Sequence, residues 1–288
     1  MSDTGGKALV LEGGGVKCAY QLGFLMGLSE PLRFDAVFGA SFGAVGAARL
    51  IGGGLRSLAE FWQSLSADEM FASPEAGRFM HGLYTNEKRT SAKALIKALT
   101  AYGISAKGHA ELSGRYHAFV MGSVNEQDVR RSGRELGLVL SEVPKTHARR
   151  LLPGFISAAA ESDRISRQAK PVYVCLEDIP EGELPAYVAA SACFPAFLPV
   201  EIGGRLFIDG GVCDNAPVSM TGGYDRVLCI RTNRQRSASL PKGTVEVLPS
   251  RELGSCALFD RENIDELILL GESDAKNADK SELAPFYE

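Results

Sequence analysis

Histidine is scarce in this chain of 288 residues: there are four, at positions 81, 109, 117 and 147, and none beyond. That distribution excludes the chain order Ser, then a late acid, then His, by which an α/β-hydrolase triad is assembled. Paired cysteines are missing too. Cys18, Cys175, Cys193, Cys213, Cys229 and Cys256 are scattered, with no C-x-x-C and no metal-ligand spacing, so they read as small buried hydrophobes. Positive charge is not in excess. The net charge of −4 gives no global field for nucleic acid. The start of the chain has no apolar core of a signal peptide. The uncharged stretch from Ala36 to Ala48 is too short to cross a bilayer and carries three glycines. No linker, repeat or low-complexity segment divides the chain. The expectation is one cytoplasmic domain over 1–288, with the chemistry-bearing motifs in 7–230 and a strand and helix extension in 231–288.

What the chain has is two glycine-framed turns near its start. Gly13-Gly14-Gly15-Val16-Lys17 follows the apolar run Ala8–Leu11, and Gly39-Ala40-Ser41-Phe42-Gly43 follows Ala36–Phe38. Each precedes a stretch that reads as a helix. The second is G-x-S-x-G, a strand-to-helix elbow that holds a serine hydroxyl exposed, with Gly39 and Gly43 as its frame. The first presents backbone N–H groups at a helix N-terminus, a setting for negative charge. Successive strand–helix units imply crossover connections and a largely parallel α/β sheet with helices on both faces, a three-layer α/β/α arrangement. Further strands are expected at Tyr116–Met121, Leu136–Leu140, Pro171–Leu176, Arg205–Ile208, Arg226–Ile230 and Val245–Leu248. Helices are expected over much of 55–112, at about 184–193 and from Asp260 to Leu270. Phe71 to Tyr84 reads as a lid or irregular cover.

Ser41 needs a base to take its proton. Asp209 is the best candidate: it ends a strand, and Gly210 and Gly211 let the backbone turn sharply after it. An ordinary carboxylate is a poor base near neutral pH, so the role calls for burial to raise its pKa. An oxyanion site must then carry much of the catalysis, and the amides of Gly14 and Gly15 suit it.

The three motifs, in this order and spacing, resemble the patatin-like phospholipases. The segment Ala190–Pro199 is similar to the one preceding that family's acid, and Asn215 and Pro217 match residues following its Asp-Gly-Gly turn. The resemblance implies hydrolysis of a lipid or lipid-like acyl ester by a Ser–Asp dyad. It assigns Ser41 as nucleophile and Asp209 as acid. Gly13, Gly14, Gly15 and the adjoining Lys17 become the oxyanion loop. It implies no metal and no organic cofactor, hence independence from calcium. One residue departs from the pattern: the family's loop usually closes on glycine, and Cys18 stands there. The same site could pass the acyl group to an alcohol, and a scaffold that no longer turns over is a third reading.

Blander readings accompany each residue. The triple glycine could open a dinucleotide fingerprint, but Cys18 occupies its third glycine and Asp35 starts a strand rather than ending one. Asp209 could be a turn former, with Asp214 a rival acid. Cys18 is a low-pKa thiol at a helix start or a packed one. Lys17 either touches substrate or is solvated. His109, His117 and His147 have no metal spacing. Trp62 reads as helical core, while Phe71, Phe79 and Tyr84 divide between core and acyl channel. Between 145 and 170, Lys145, Arg149, Arg150, Arg164, Arg167 and Lys170 form either a solvated face or a peripheral contact with anionic lipid.

Overall fold

The computed structural model describes residues 5–66, 70, 106–145, 167–195, 197–237 and 239–287. Its centre is an eight-stranded mixed sheet built on β1 (Lys7–Leu11), β2 (Ala36–Gly39), β3 (Glu135–Val143), β4 (Lys170–Cys175), β5 (Val200–Ile202), β6 (Arg205–Asp209), β7 (Arg226–Ile230) and β8 (Thr244–Val247). The order is β5-β6-β3-β2-β1-β7-β8, with β4 also paired to β3. Strands β3, β2, β1, β7 and β8 run parallel to one another. The pairings β3–β4, β3–β6 and β5–β6 are antiparallel.

The central strands read as continuous apolar runs because both of their faces are covered. Ala8, Val10, Ala36, Phe38, Val227 and Cys229 form one cluster, and the alternate residues Leu9, Leu11, Val37, Leu228 and Ile230 join another. The larger cluster takes in the buried sides of helices α1 (Ala19–Gly27), α2 (Phe42–Ser64), α3 (Ala106–Gly122), α4 (Glu126–Arg131), α5 (Leu184–Ser191), α6 (Arg261–Asn277) and α7 (Lys280–Tyr287). The smaller is closed by the 3-10 turn Val218–Thr221 and by Ala216 and Tyr224. No helix among the described residues is long and apolar enough to cross a membrane.

One expectation changes here. Tyr116–Met121 is not a strand; it lies within α3. Its aromatic and β-branched residues suggest a strand, but Leu112, Tyr116 and Val120 are the buried ones, a spacing of four that suits one face of a helix. Residues after Arg231, for which no motif speaks, are tied closely to the rest of the fold. Helix α6 crosses α1 at close quarters: a Cβ on Gly23 would meet the Ile268 carbonyl, and one on Gly271 the Tyr20 carbonyl. The suggested cover at Phe71–Tyr84, with Phe79 and His81, lies outside the described residues. So do His147 and the basic residues Arg149, Arg150 and Arg164.

Candidate active site

Ser41 sits between β2 and α2, in the only positive-φ conformation of any non-glycine residue among those described (φ 55°, ψ −133°). Such a backbone costs of order 1–3 kcal/mol and persists only where its surroundings enforce it. The surroundings are the two elbow glycines. A Cβ at Gly39 would run into the backbone of Gly43, and one at Gly43 into the carbonyl oxygen of Leu11. Helix α2 can therefore start directly over the end of β1, and Ser41 is pushed out at its head.

Asp209 reaches this point from the other half of the sheet. It is the last residue of β6 and lies opposite Leu140 of β3, whose first half pairs with β2. Strand β3 thus fixes the acid relative to the elbow. The Ser41 hydroxyl donates to Asp209 Oδ2 at 2.7 Å, and the Gly211 N–H donates to Oδ1 at 2.8 Å. Both side chains are largely buried, Ser41 at 8% and Asp209 at 6% exposure. Burial raises the Asp209 pKa from 3.8 to about 6, against the opposing pull of the two hydrogen bonds that favour its charged form. Gly210 is needed where the chain turns, because a Cβ there would strike the Val139 carbonyl.

The glycine loop is held from several sides. The Gly13 N–H donates to the Asn215 carbonyl at 2.9 Å. The Gly13 carbonyl accepts from Asn215 Nδ2 at 3.0 Å and from the Thr232 hydroxyl at 2.6 Å. The Lys17 N–H donates to the Gly14 carbonyl at 3.2 Å, and the Val16 N–H to the Cys256 carbonyl at 2.9 Å. Gly15 has a left-handed φ of 58°, and a Cβ on it would collide with that same carbonyl. Among the four loop residues expected to bind an oxyanion, Gly13 and Lys17 thus have committed amides. Those of Gly14 and Gly15 have no hydrogen-bond acceptor among the described residues. Lys17 is half-buried beside the loop and does not line the cavity below it.

Behind the loop lies a polar network that no sequence motif announces. The Glu12 carboxylate accepts from the Thr232 N–H at 2.5 Å and from Asn233 Nδ2 at 2.7 Å, and faces Arg231 at 3.3 Å. Arg231 also meets Glu246 at 3.3 Å. Gln21 Nε2 donates to the carbonyls of Glu12 and Ile230 at 2.8 and 3.0 Å. On the other side the Ser191 hydroxyl accepts the Ser41 N–H at 3.2 Å. Each of these groups positions the turns rather than facing the cavity, and an isolated Glu, Thr or Gln carries no spacing by which it could be found in the sequence.

The alternative acids and bases resolve by position. Asp214 accepts from the Tyr173 and Ser219 hydroxyls and from the Ala216 N–H, in a turn of its own. His117 approaches Cys193 Sγ at 3.4 Å, and burial pushes its pKa down to about 4. Cys18 is packed in the core with its thiol directed at the Glu12 carbonyl. Burial pushes that thiol's pKa well up, and Cys18 does not line the cavity described below. Asp35 accepts the Lys7 N–H at 2.8 Å at the start of β2, away from the glycine loop, so no ribose-binding acid stands where a dinucleotide would need one. No cluster of metal-ligating side chains occurs among the described residues.

Ser41, Asp209 and the Gly13–Gly15 loop open onto a cavity of about 360 Å³. Its walls are largely apolar and include Phe42, Tyr116, Phe194, Phe197, Val212, Cys256, Ala257 and Phe259. Tyr116 stacks on Phe197 at 4.1 Å, and its hydroxyl donates to the Ala192 carbonyl at 2.6 Å, so its polar end is satisfied away from the cavity. A buried serine–carboxylate pair, two uncommitted amides and an apolar cavity together suit attack on a carbonyl that carries a hydrocarbon chain.

A family model for patatin-like phospholipase matches residues 9–221. No curated protein sequence matches the chain. Among solved structures, VipD from Legionella pneumophila superposes with a TM-score of 0.51 and 12% identity, over 98% of this chain and 67% of VipD. The type III effector ExoU gives a TM-score of 0.44 and 14% identity over 98% of this chain. Full-length ExoU from Pseudomonas aeruginosa, solved with SpcU, gives 0.43 and 13%. The chain spans about two thirds of VipD and about half of ExoU. At these identities the VipD likeness is one of fold.

Proposed function

The chain belongs to the patatin-like phospholipase family, and from that premise we propose that it hydrolyses the carboxylic ester of a lipid through Ser41 and Asp209. The observation that carries the proposal is the 2.7 Å hydrogen bond from the Ser41 hydroxyl to Asp209 Oδ2. Both residues line an apolar cavity. Asp209 accepts the hydroxyl proton as Oγ attacks the ester carbonyl. The carbonyl oxygen gains negative charge and is met by the N–H groups of Gly14 and Gly15. Collapse breaks the bond to the alcohol, which leaves with the proton from Asp209, and the acyl group stays on Ser41. Water then attacks the acyl-enzyme, giving its proton to Asp209. The second collapse releases the fatty acid, and the proton returns to Oγ.

A pKa near 6 suits this cycle, because the carboxylate is ionised at neutral pH yet basic enough to hold a proton in passing. The amide donors do the heavier work: losing one such donor costs about 2.7–4 kcal/mol of transition-state stabilisation. The helix start behind the loop adds a partial positive charge of the right sign.

Hydrolysis of p-nitrophenyl esters by wild type, Ser41→Ala and Asp209→Asn tests the proposal, with circular dichroism as the folding control. Both variants lose activity, and a fluorophosphonate probe labels wild type at Ser41. Turnover by a folded Asp209→Asn protein at the wild-type rate would overturn the dyad. Absence of both labelling and turnover in wild type would overturn the hydrolase.

A further inference from the structure

One wall of the cavity comes from a part of the chain that the family model does not reach. The match ends at residue 221, whereas Cys256, Ala257 and Phe259 line the cavity beside Ser41. We propose that this segment, through Ala257 and Phe259, sets which acyl chains the enzyme accepts. The inference rests on the hydrolase reading above.

The segment is fixed at both ends. Upstream of Ala257, the Cys256 carbonyl accepts the Val16 N–H at 2.9 Å, which ties it to the glycine loop. Downstream of Phe259, Asp260 caps α6, its carboxylate accepting the Asn263 N–H at 2.9 Å. Arg261 Nη1 then donates to the carbonyls of Trp62 and Gln63 at 2.7 and 3.2 Å, at the end of α2. Between these ties Phe259 meets the Phe42 ring at 5.4 Å, and Phe42 meets Trp62 at 6.1 Å. Ala257 and Phe259 are nearly buried, at 5% and 8% exposure. A wall clamped in this way cannot yield to a longer or bulkier chain.

The clamp also sets distances. Helix α1 begins at the glycine loop, and α6 begins just after Phe259. The two helices cross where Gly23, Gly27 and Gly271 allow backbone against backbone. The separation between the oxyanion amides and the acyl wall is therefore held by a helix pair. Ala257 is small, so it leaves room at that wall, and Phe259 closes it.

The test is the ratio of kcat/KM for p-nitrophenyl laurate to that for the acetate, in wild type, Ala257→Leu and Phe259→Ala. Added methylenes at Ala257 lower the ratio by about tenfold or more, the scale on which apolar pockets discriminate single groups. Removing the Phe259 ring raises it. Isothermal titration of laurate into Ser41→Ala, with and without Ala257→Leu, reads the wall without turnover. Weaker laurate binding in the double variant supports the wall, even if wild type were to hydrolyse no ester, a result that would overturn only the hydrolase. Unchanged ratios in both folded variants, with unchanged laurate binding, would overturn it. If Phe259→Ala does not fold, Ala257→Leu and the titration decide alone.

Discussion

Asp209→Asn should make the protein more stable as it becomes inactive. A carboxyl whose pKa rises from 3.8 to about 6 on folding is ionised in the native state at a cost. At about 1.36 kcal/mol per pH decade that cost is about 3 kcal/mol. The sign follows from the protons bound. Between 3.8 and 6 the native state holds the proton more tightly than the unfolded chain, so stability from this group is full below 3.8 and is lost as pH rises through 6. Asparagine never ionises. Its oxygen can still accept from the Gly211 N–H, and its amide can donate to Ser41 Oγ, so both contacts have a replacement. The variant should therefore gain about 3 kcal/mol at about pH 8, roughly 6 °C in Tm for a chain of this size. The gain should fall by about half near pH 5. Thermal or urea unfolding of both proteins across that range measures it. A variant less stable than wild type at pH 8, or a difference that does not shrink on acidification, would refute the assignment of a buried, destabilised carboxylate.

The same pKa predicts that kcat/KM rises with pH through about 6 and then levels, and a profile flat down to pH 4 would remove Asp209 as base. Ser41→Gly and Ser41→Ala both lose the hydroxyl, but only glycine relieves the φ of 55°; the glycine variant should unfold about 1 kcal/mol harder in urea. Thr232→Val removes the hydroxyl that donates to the Gly13 carbonyl. That variant should lose about 1 kcal/mol of stability, and kcat should fall more than KM changes, as steady-state kinetics would show. Because the proposed steps need only side chains and amides, EDTA should leave ester hydrolysis unchanged, and a loss restored by calcium would contradict that.

The sequence speaks most clearly where backbone geometry leaves little choice. Gly15, Gly39, Gly43 and Gly210 stand where a Cβ would meet backbone, and glycines of that kind leave a pattern in the sequence. The parallel strands are legible for a similar reason, since burial on both faces writes an unbroken apolar run. Tyr116–Met121 misleads because residue type favours a strand while the burial period is helical. Glu12, Thr232, Gln21 and Ser191 are illegible for another reason. Each makes at least one hydrogen bond to a backbone group far along the chain, and no local spacing records such a partner. The wall at Cys256–Phe259 is hidden likewise: a few apolar side chains in a loop acquire a role only from what folds against them.

The proposed nucleophile, acid, loop clamp and acyl wall come from widely separated stretches of the chain. Ser41 and Asp209 are 168 residues apart, and Gly13 and Thr232 are 219 apart. Strand β1, made first, finds β7 as a neighbour only after most of the chain has emerged. Contacts of such long range are slow to form. During translation, then, a ribosome-bound chain carries Ser41 before Asp209, Thr232 and the segment Cys256–Phe259 have been made. If Ser41 and Asp209 act as proposed, the site is complete only once the last of these stretches has folded against the first.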